Sequence, residues 1–152
     1  MTATITAAFL HHVAAFLVVA TLMAELVLLR NELTLSSARS VLRMDMVYGI
    51  AATVLLVVGF VRVFYTEKGE AYYFASGTFL GKLALFVIVG VISVYPTVKF
   101  LSWRKALREQ RLPDLDAGTR RKVRTLIHVE LTLIFVIILL AVMMARGVGY
   151  FG

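Results

Sequence analysis

Nine ionisable side chains stand within or beside long apolar runs of this chain, and they fall at two heights. One group is His11, His12, Arg62 and Lys82; the other is Glu25, Arg43, Asp45, His128 and Glu130. Charges inside apolar spans are costly, so they face one another or a cavity rather than lipid. A neutral imidazole nitrogen can hold a metal, haem iron included. His11 or His12 is therefore a candidate axial ligand, with Lys82 and Arg62 as partners for the anionic groups of a porphyrin. Those two cations can equally reach out to lipid headgroups. Glu25, Asp45 and Glu130 can lock a helix bundle if Arg43, Lys99 and Arg124 pair with them. Without such pairing they can carry protons or cations. Zinc favours four nitrogen, sulfur or oxygen ligands, and neither height supplies four without breaking those pairs.

The elements that must position these residues are membrane-spanning helices. The chain has 152 residues, enough for one domain, is 61% hydrophobic and contains no cysteine, which excludes disulfides and thiolate chemistry. Its mean hydropathy of +0.89 comes from four apolar blocks, each near the roughly 20 residues that cross a hydrocarbon core. The pattern predicts helices over 5–29, 37–64, 77–108 and 117–145, with Ser36 as the cap of the second and a kink at Pro96 in the third. Period-2 alternation is missing, which excludes barrel strands. The first block has no basic leader and no small-x-small cleavage site, so it reads as a retained helix.

Lys and Arg set the expected orientation. Twelve of them flank the 1–2 and 3–4 connections, whereas the other side holds only Arg62, Lys68, Lys82 and Arg146. This asymmetry predicts both termini outside, the periplasm if the membrane is the inner membrane of a bacterium. The net charge of +7 follows from the same flanks, so the expected partner is the lipid bilayer and not nucleic acid. Short connections make an up-down-up-down all-α bundle the default. Ala7, Ala8, Ala14, Ala15, Gly49, Ala52, Gly59, Gly81 and Gly90 are small enough for close helix contacts. Tyr65, Tyr72, Tyr73 and Tyr150 suit the outer interface, and Trp103 the inner one.

Helical angles, about 100° per residue, sort the ionisable groups by face. His11 and Glu25 share a face of the first helix, and His12 looks sideways. On the second helix Asp45, Tyr48, Gly49, Ala52, Leu56 and Gly59 form a stripe. Lys82, Val89, Ser93 and Pro96 form another on the third. His128 and Glu130 diverge by about 200°, and Glu130 is the better inward candidate. The polar then aromatic stretch from Tyr65 to Tyr73 reads as a turn and interface anchor.

Several motifs together resemble a known family. They include His11-His12, Ala24-Glu25-Leu26, Arg43-Met44-Asp45 with Tyr48-Gly49, Val58-Gly59-Phe60-Val61-Arg62, Gly81-Lys82, Tyr95-Pro96-Thr97, His128-Val129-Glu130 and Ala145-Arg146-Gly147. The chain resembles, over nearly its whole length, the bacterial membrane-protein family called domain of unknown function 2214, which implies no activity. An early histidine and a Lys82-Leu83 pair opening the third helix are also similar to HemJ-type protoporphyrinogen oxidases. That resemblance implies haem b, with His11 or His12 and Lys82 at the positions of their histidine and lysine. The histidine pair, and the acids Glu25, Asp45 and Glu130, depart from it. The expected function is a non-enzymatic membrane subunit or assembly factor with structural ion pairs, working with a membrane partner or a second copy. The alternatives are a haem-associated redox protein and an oligomeric proton or cation transporter.

Overall fold

The computed structural model of the chain describes residues 2–66 and 70–151. The Lys68 assignment and the middle of the 65–73 connection lie outside these residues. Four helices are long and apolar enough to cross a membrane among the described residues. They are α1 (Thr2–Leu28), α2 (Leu35–Val61), α4 (Gly77–Ser102) and α6 (Ala117–Ala145). A π-helical turn, Arg62–Thr66, extends α2; the short α3 (Glu70–Phe74) precedes α4, and the short α5 (Arg104–Arg108) follows it. Helix is forced here because lipid offers the backbone no hydrogen-bond partner. Large apolar side chains such as Phe9, Phe16, Val91, Phe135 and Leu139 accordingly cover the outside.

The ends of the helices are fixed by local chemistry. Thr34, not Ser36, caps α2. Its Oγ1 accepts from Ser37 N at 3.1 Å and Ser37 Oγ accepts from Thr34 N at 2.8 Å. This reciprocal box satisfies two otherwise orphaned amides, and Ser36 lacks such a partner. Asp116 caps α6 by accepting from Thr119 N at 2.9 Å. Helix α4 runs on through Pro96, and the helical run is interrupted at Trp103. Trp103 is buried, with its ring centroid 5.1 Å from that of Phe100.

The main packing is within two antiparallel hairpins, α1 with α2 and α4 with α6. Contacts of α1 with α6 and of α2 with α4 close the ring, and the backbones of the diagonal pairs stay apart among the described residues. Val18, Leu22, Val41, Tyr48, Val89, Phe100, Ile127 and Leu131 fill the central core. Gly59 takes the edge of the His11 ring, and Gly81 takes Leu140. Gly49 and Gly90 have open space where a side chain would stand, so they do not serve close packing. Gly49 and Leu56 are exposed, and Ala51 is buried in their stead.

The two ends are closed differently. At the end carrying the termini, Gly77 N donates to Gly149 O at 2.9 Å, Phe151 N donates to Ala75 O at 2.9 Å, and Thr78 Oγ1 donates to Val148 O at 3.0 Å. A small core of Val63, Tyr73, Phe79 and Met144 lies beneath this clasp. At the arginine-rich end, Arg39 donates to Gln110 Oε1 at 2.7 Å, and Lys122 Nζ on α6 stands 4.1 Å from the Tyr95 ring centre on α4. A cation over an aromatic face contributes about 0.5–1 kcal/mol at exposed sites.

Candidate functional site

Two polar groups occupy the interior, one toward each end. Nearer the arginine-rich end, α1 presents Glu25, α2 presents Asp45 and Tyr48, and α6 presents Glu130. All four are buried, and Glu25 and Glu130 are among the largest fully buried side chains. The register explains the convergence. Glu25 continues the buried line Ala14, Val18, Thr21 and Leu22 of α1, and Asp45 continues Ala38 and Val41 of α2. Glu130 lies between Ile127, Leu131 and Ile134 on the inward face of α6.

The three carboxyls act on one another electrostatically, but none forms an ion pair within 4 Å among the described residues. The expected pairing with Arg43, Lys99 and Arg124 is therefore not made. Arg43 is exposed, and Arg124 has a buried Nε without an acceptor. The cation that does act on Asp45 is Arg104 of α5, which stops short of an ion pair. Polar neighbours take the place of cations. Thr97 Oγ1 donates to Asp45 Oδ1 at 2.6 Å. The Tyr48 phenol stands beside Glu130 and Ser93. Both Glu130 oxygens and Oε1 of Glu25 nevertheless have no partner in hydrogen-bond geometry.

No three acidic or histidine side chains converge closely enough to hold a metal ion among the described residues. His128 is exposed on α6, away from the acids. Thr97 and Arg104 did not emerge from the sequence as site residues. Depth counting carries a signal for Thr97. It lies about 20 residues into α4, and Asp45 about 16 residues before the end of α2, so both are some 24–30 Å from the connection their helices share. Nothing in the sequence pattern singles out Arg104 from its basic neighbours.

Toward the other end the structure brings His11, Arg62 and Lys82 together. His11 is half-buried, with its Cε1 3.4 Å from where a Gly59 side chain would begin; its Nδ1 is buried with no partner in hydrogen-bond geometry, and the Leu55 carbonyl acts on the ring. Arg62 and Lys82 both act on it electrostatically. Lys82 is half-buried, with Nζ 5.5 Å from the Phe79 ring centre. His12 is exposed. Its ring is edge-on to that of His11, and its Nδ1 lies 2.6 Å from Ala8 O. A histidine held in this way keeps Nε2 free. Between the two groups α1 buries Ala14, Val18 and Leu22, with Thr21 the one polar residue on that line and its hydroxyl donated to the Leu17 carbonyl at 2.7 Å; the helix places His11 and Glu25 about 21 Å apart along its axis.

The model of a family described as "Predicted membrane protein (DUF2214)" matches residues 3–149. Neither a curated protein nor a solved structure matches the chain.

Proposed function

Because the chain belongs to the DUF2214 family of predicted membrane proteins, its activity has to be read from what it buries, and we propose that it is a proton-binding subunit of the bacterial inner membrane. One observation carries this reading: three carboxyls from three helices lie buried together with no ion pair among the described residues. Three full charges in so dry a place would cost several kcal/mol each, so protons belong to the cluster. A carboxyl takes a proton on one oxygen and can release it from the other. Glu25, Asp45 and Glu130 supply three such groups, and the hydroxyls of Thr97 and Tyr48 stand next to Asp45 and Glu130. Among the described residues no three acids or histidines gather to hold a metal ion, which favours protons over metal cations as the cargo. With both termini periplasmic, the arginine-rich end faces the cytoplasm and the cluster exchanges with that side. The apolar stretch of Ala14, Val18 and Leu22 shields it from the other.

Infrared difference spectroscopy on protein in lipid tests this. The expected result is a protonated-carboxyl C=O band that follows the pH of the medium, shifts in heavy water and loses intensity in Glu25→Gln, Asp45→Asn and Glu130→Gln. The same spectrum in all three variants would remove the proposal.

A second reading rests on a different observation, the gathering of His11, Lys82 and Arg62. These residues fit a haem b as far as their chemistry goes. His11 would offer a ring nitrogen to the iron, and Lys82 and Arg62 would face the propionates. Bound haem would supply one-electron redox chemistry. The chain's own part is to hold the His11 ring against Gly59 and to set cations beside it. The absorption spectrum of protein extracted in mild detergent decides the matter. A b-type Soret band lost in His11→Ala supports it, and colourless protein from haem-replete cells sinks it without touching the first reading.

A further inference from the structure

Helix α6 begins with a run of cations, Arg120, Arg121, Lys122 and Arg124, before its apolar part starts at Thr125. Arg120, Arg121 and Arg124, with Leu115 and Ala117, line a cleft of about 570 Å³. No acidic side chain lines it among the described residues. The nearby Asp116 carboxylate accepts from the first-turn amide of its own helix, Thr119 N. The guanidinium groups find little else. Arg120 makes one long bond, 3.4 Å, to the carbonyl of Asn31. Arg124 is half-buried, and its Nε is fully buried with no acceptor.

A buried N–H without an acceptor costs about 1–3 kcal/mol, and three guanidinium groups around one cleft repel each other unless an anion enters. Arg forks match the oxygens of phosphate. The cleft's height names the source of that phosphate. Arg124 is the last charge before the apolar run of a helix that spans the membrane, which is headgroup depth. Leu115 and Ala117 add an apolar lip suited to a glycerol backbone or the start of an acyl chain.

We propose that this cleft binds the phosphate of an anionic phospholipid headgroup, with Arg124 and Arg120 as its principal donors. The site is separate from the carboxyl cluster. Neither arginine pairs with Glu25, Asp45 or Glu130, and the proposal stands whether or not those acids carry protons.

The test uses delipidated full-length protein in detergent, titrated in turn with dioctanoyl phosphatidylglycerol, dioctanoyl phosphatidylcholine and inorganic phosphate. Binding is read from 31P line broadening and from the thermal unfolding midpoint. The expected result is saturable binding of phosphatidylglycerol, weakened about tenfold or more in Arg124→Gln and in Arg120→Gln, as loss of a charged hydrogen bond implies. Arg124→Lys keeps the charge but not the Nε donor, and should fall between. Arg146→Gln, at the opposite end, should bind as the parent does. Equal binding of phosphatidylcholine overturns the proposal, as does unchanged binding in Arg124→Gln. Inorganic phosphate that binds as tightly as the lipid and displaces it makes a soluble anion the ligand and overturns the lipid assignment. If the Gln variants fail to fold, the wild-type comparison of the three probes together with Arg124→Lys decides the question.

Discussion

Replacing Glu130 by methionine should make the protein more stable. Glu130 is 1% exposed, and neither of its carboxyl oxygens has a partner in hydrogen-bond geometry. A buried polar group left in that state costs about 1–3 kcal/mol. Methionine is unbranched, of similar length, and adapts to irregular gaps; Ile127, Leu131 and Ile134 beside it on α6 are apolar, and the Tyr48 phenol keeps the Ser93 hydroxyl as a partner. Removing the carboxyl therefore recovers the desolvation cost without opening a cavity, which gives about 1–3 kcal/mol, or 5–150-fold in the unfolding equilibrium. Asp45→Leu should move the other way by about 1.5–3 kcal/mol, because it removes the acceptor of the 2.6 Å Thr97 bond. Two acids of one cluster thus carry opposite signs. Reversible unfolding in a single detergent, or steric trapping in bicelles, measures both. Destabilisation of Glu130→Met by more than about 1 kcal/mol would refute the reasoning, since it would mean that the carboxyl is held by a strong bond. A stabilised variant that has also lost its infrared proton signal would instead mark a group kept for its chemistry at the expense of stability.

Three further outcomes follow from the ends of the helices. Thr34→Ala breaks the reciprocal box with Ser37 and should cost about 0.5–2 kcal/mol, read in the same unfolding assay; an unchanged value means the box does not form. At α6, the Thr119 hydroxyl and then its amide hold the Asp116 carboxyl below the usual aspartate range. A depressed acid contributes above its unfolded value and ceases to as the pH falls through its folded one. Protection of the Thr119 amide against hydrogen exchange, corrected for intrinsic rates, should thus hold through neutral pH and fade only below the ordinary aspartate range; loss near neutral pH would contradict it. Gly149 has φ of +79°, and a side chain there would meet Thr78 at 3.1 Å. Gly149→Ala should therefore strain the clasp by about 1–2 kcal/mol and speed exchange of the Gly77 amide, with the arginine-rich end unaffected. Equal acceleration at both ends would show that the clasp is not a local structure.

The four spans were legible because lipid leaves the backbone one solution, and block length with Lys and Arg flanks marks it. The finer errors have particular causes. Ser36 and Thr34 are both sound caps by type, and only the reach of Ser37 back to Thr34 decides between them. Trp103 suits an interface by type, but only the turn between α4 and α5 decides that its ring lies on Phe100 rather than outward. Gly49 and Gly90 show that a small residue permits close packing without producing it: each faces open space, whereas Gly59 and Gly81 meet a neighbour.

The interior acids were legible by type and height, but their pairing was not. The cations that depth counting set against them sit on long, flexible side chains near the ends of helices, and such chains turn toward water or headgroups when that is cheaper than entering a dry core. Arg43 does so, since it is exposed only two residues from the buried Asp45. Short hydroxyl side chains have no such escape. Thr97 can reach only what its backbone places beside it, and α4 places it against Asp45. The same argument separates the two neighbouring polar residues of α6. His128 and Glu130 are two residues and about 200° apart, so the helix that turns one outward must bury the other. The partner of a buried acid in a membrane bundle is therefore better sought among serines, threonines and tyrosines of matching depth than among the arginines and lysines that outnumber them at the boundary.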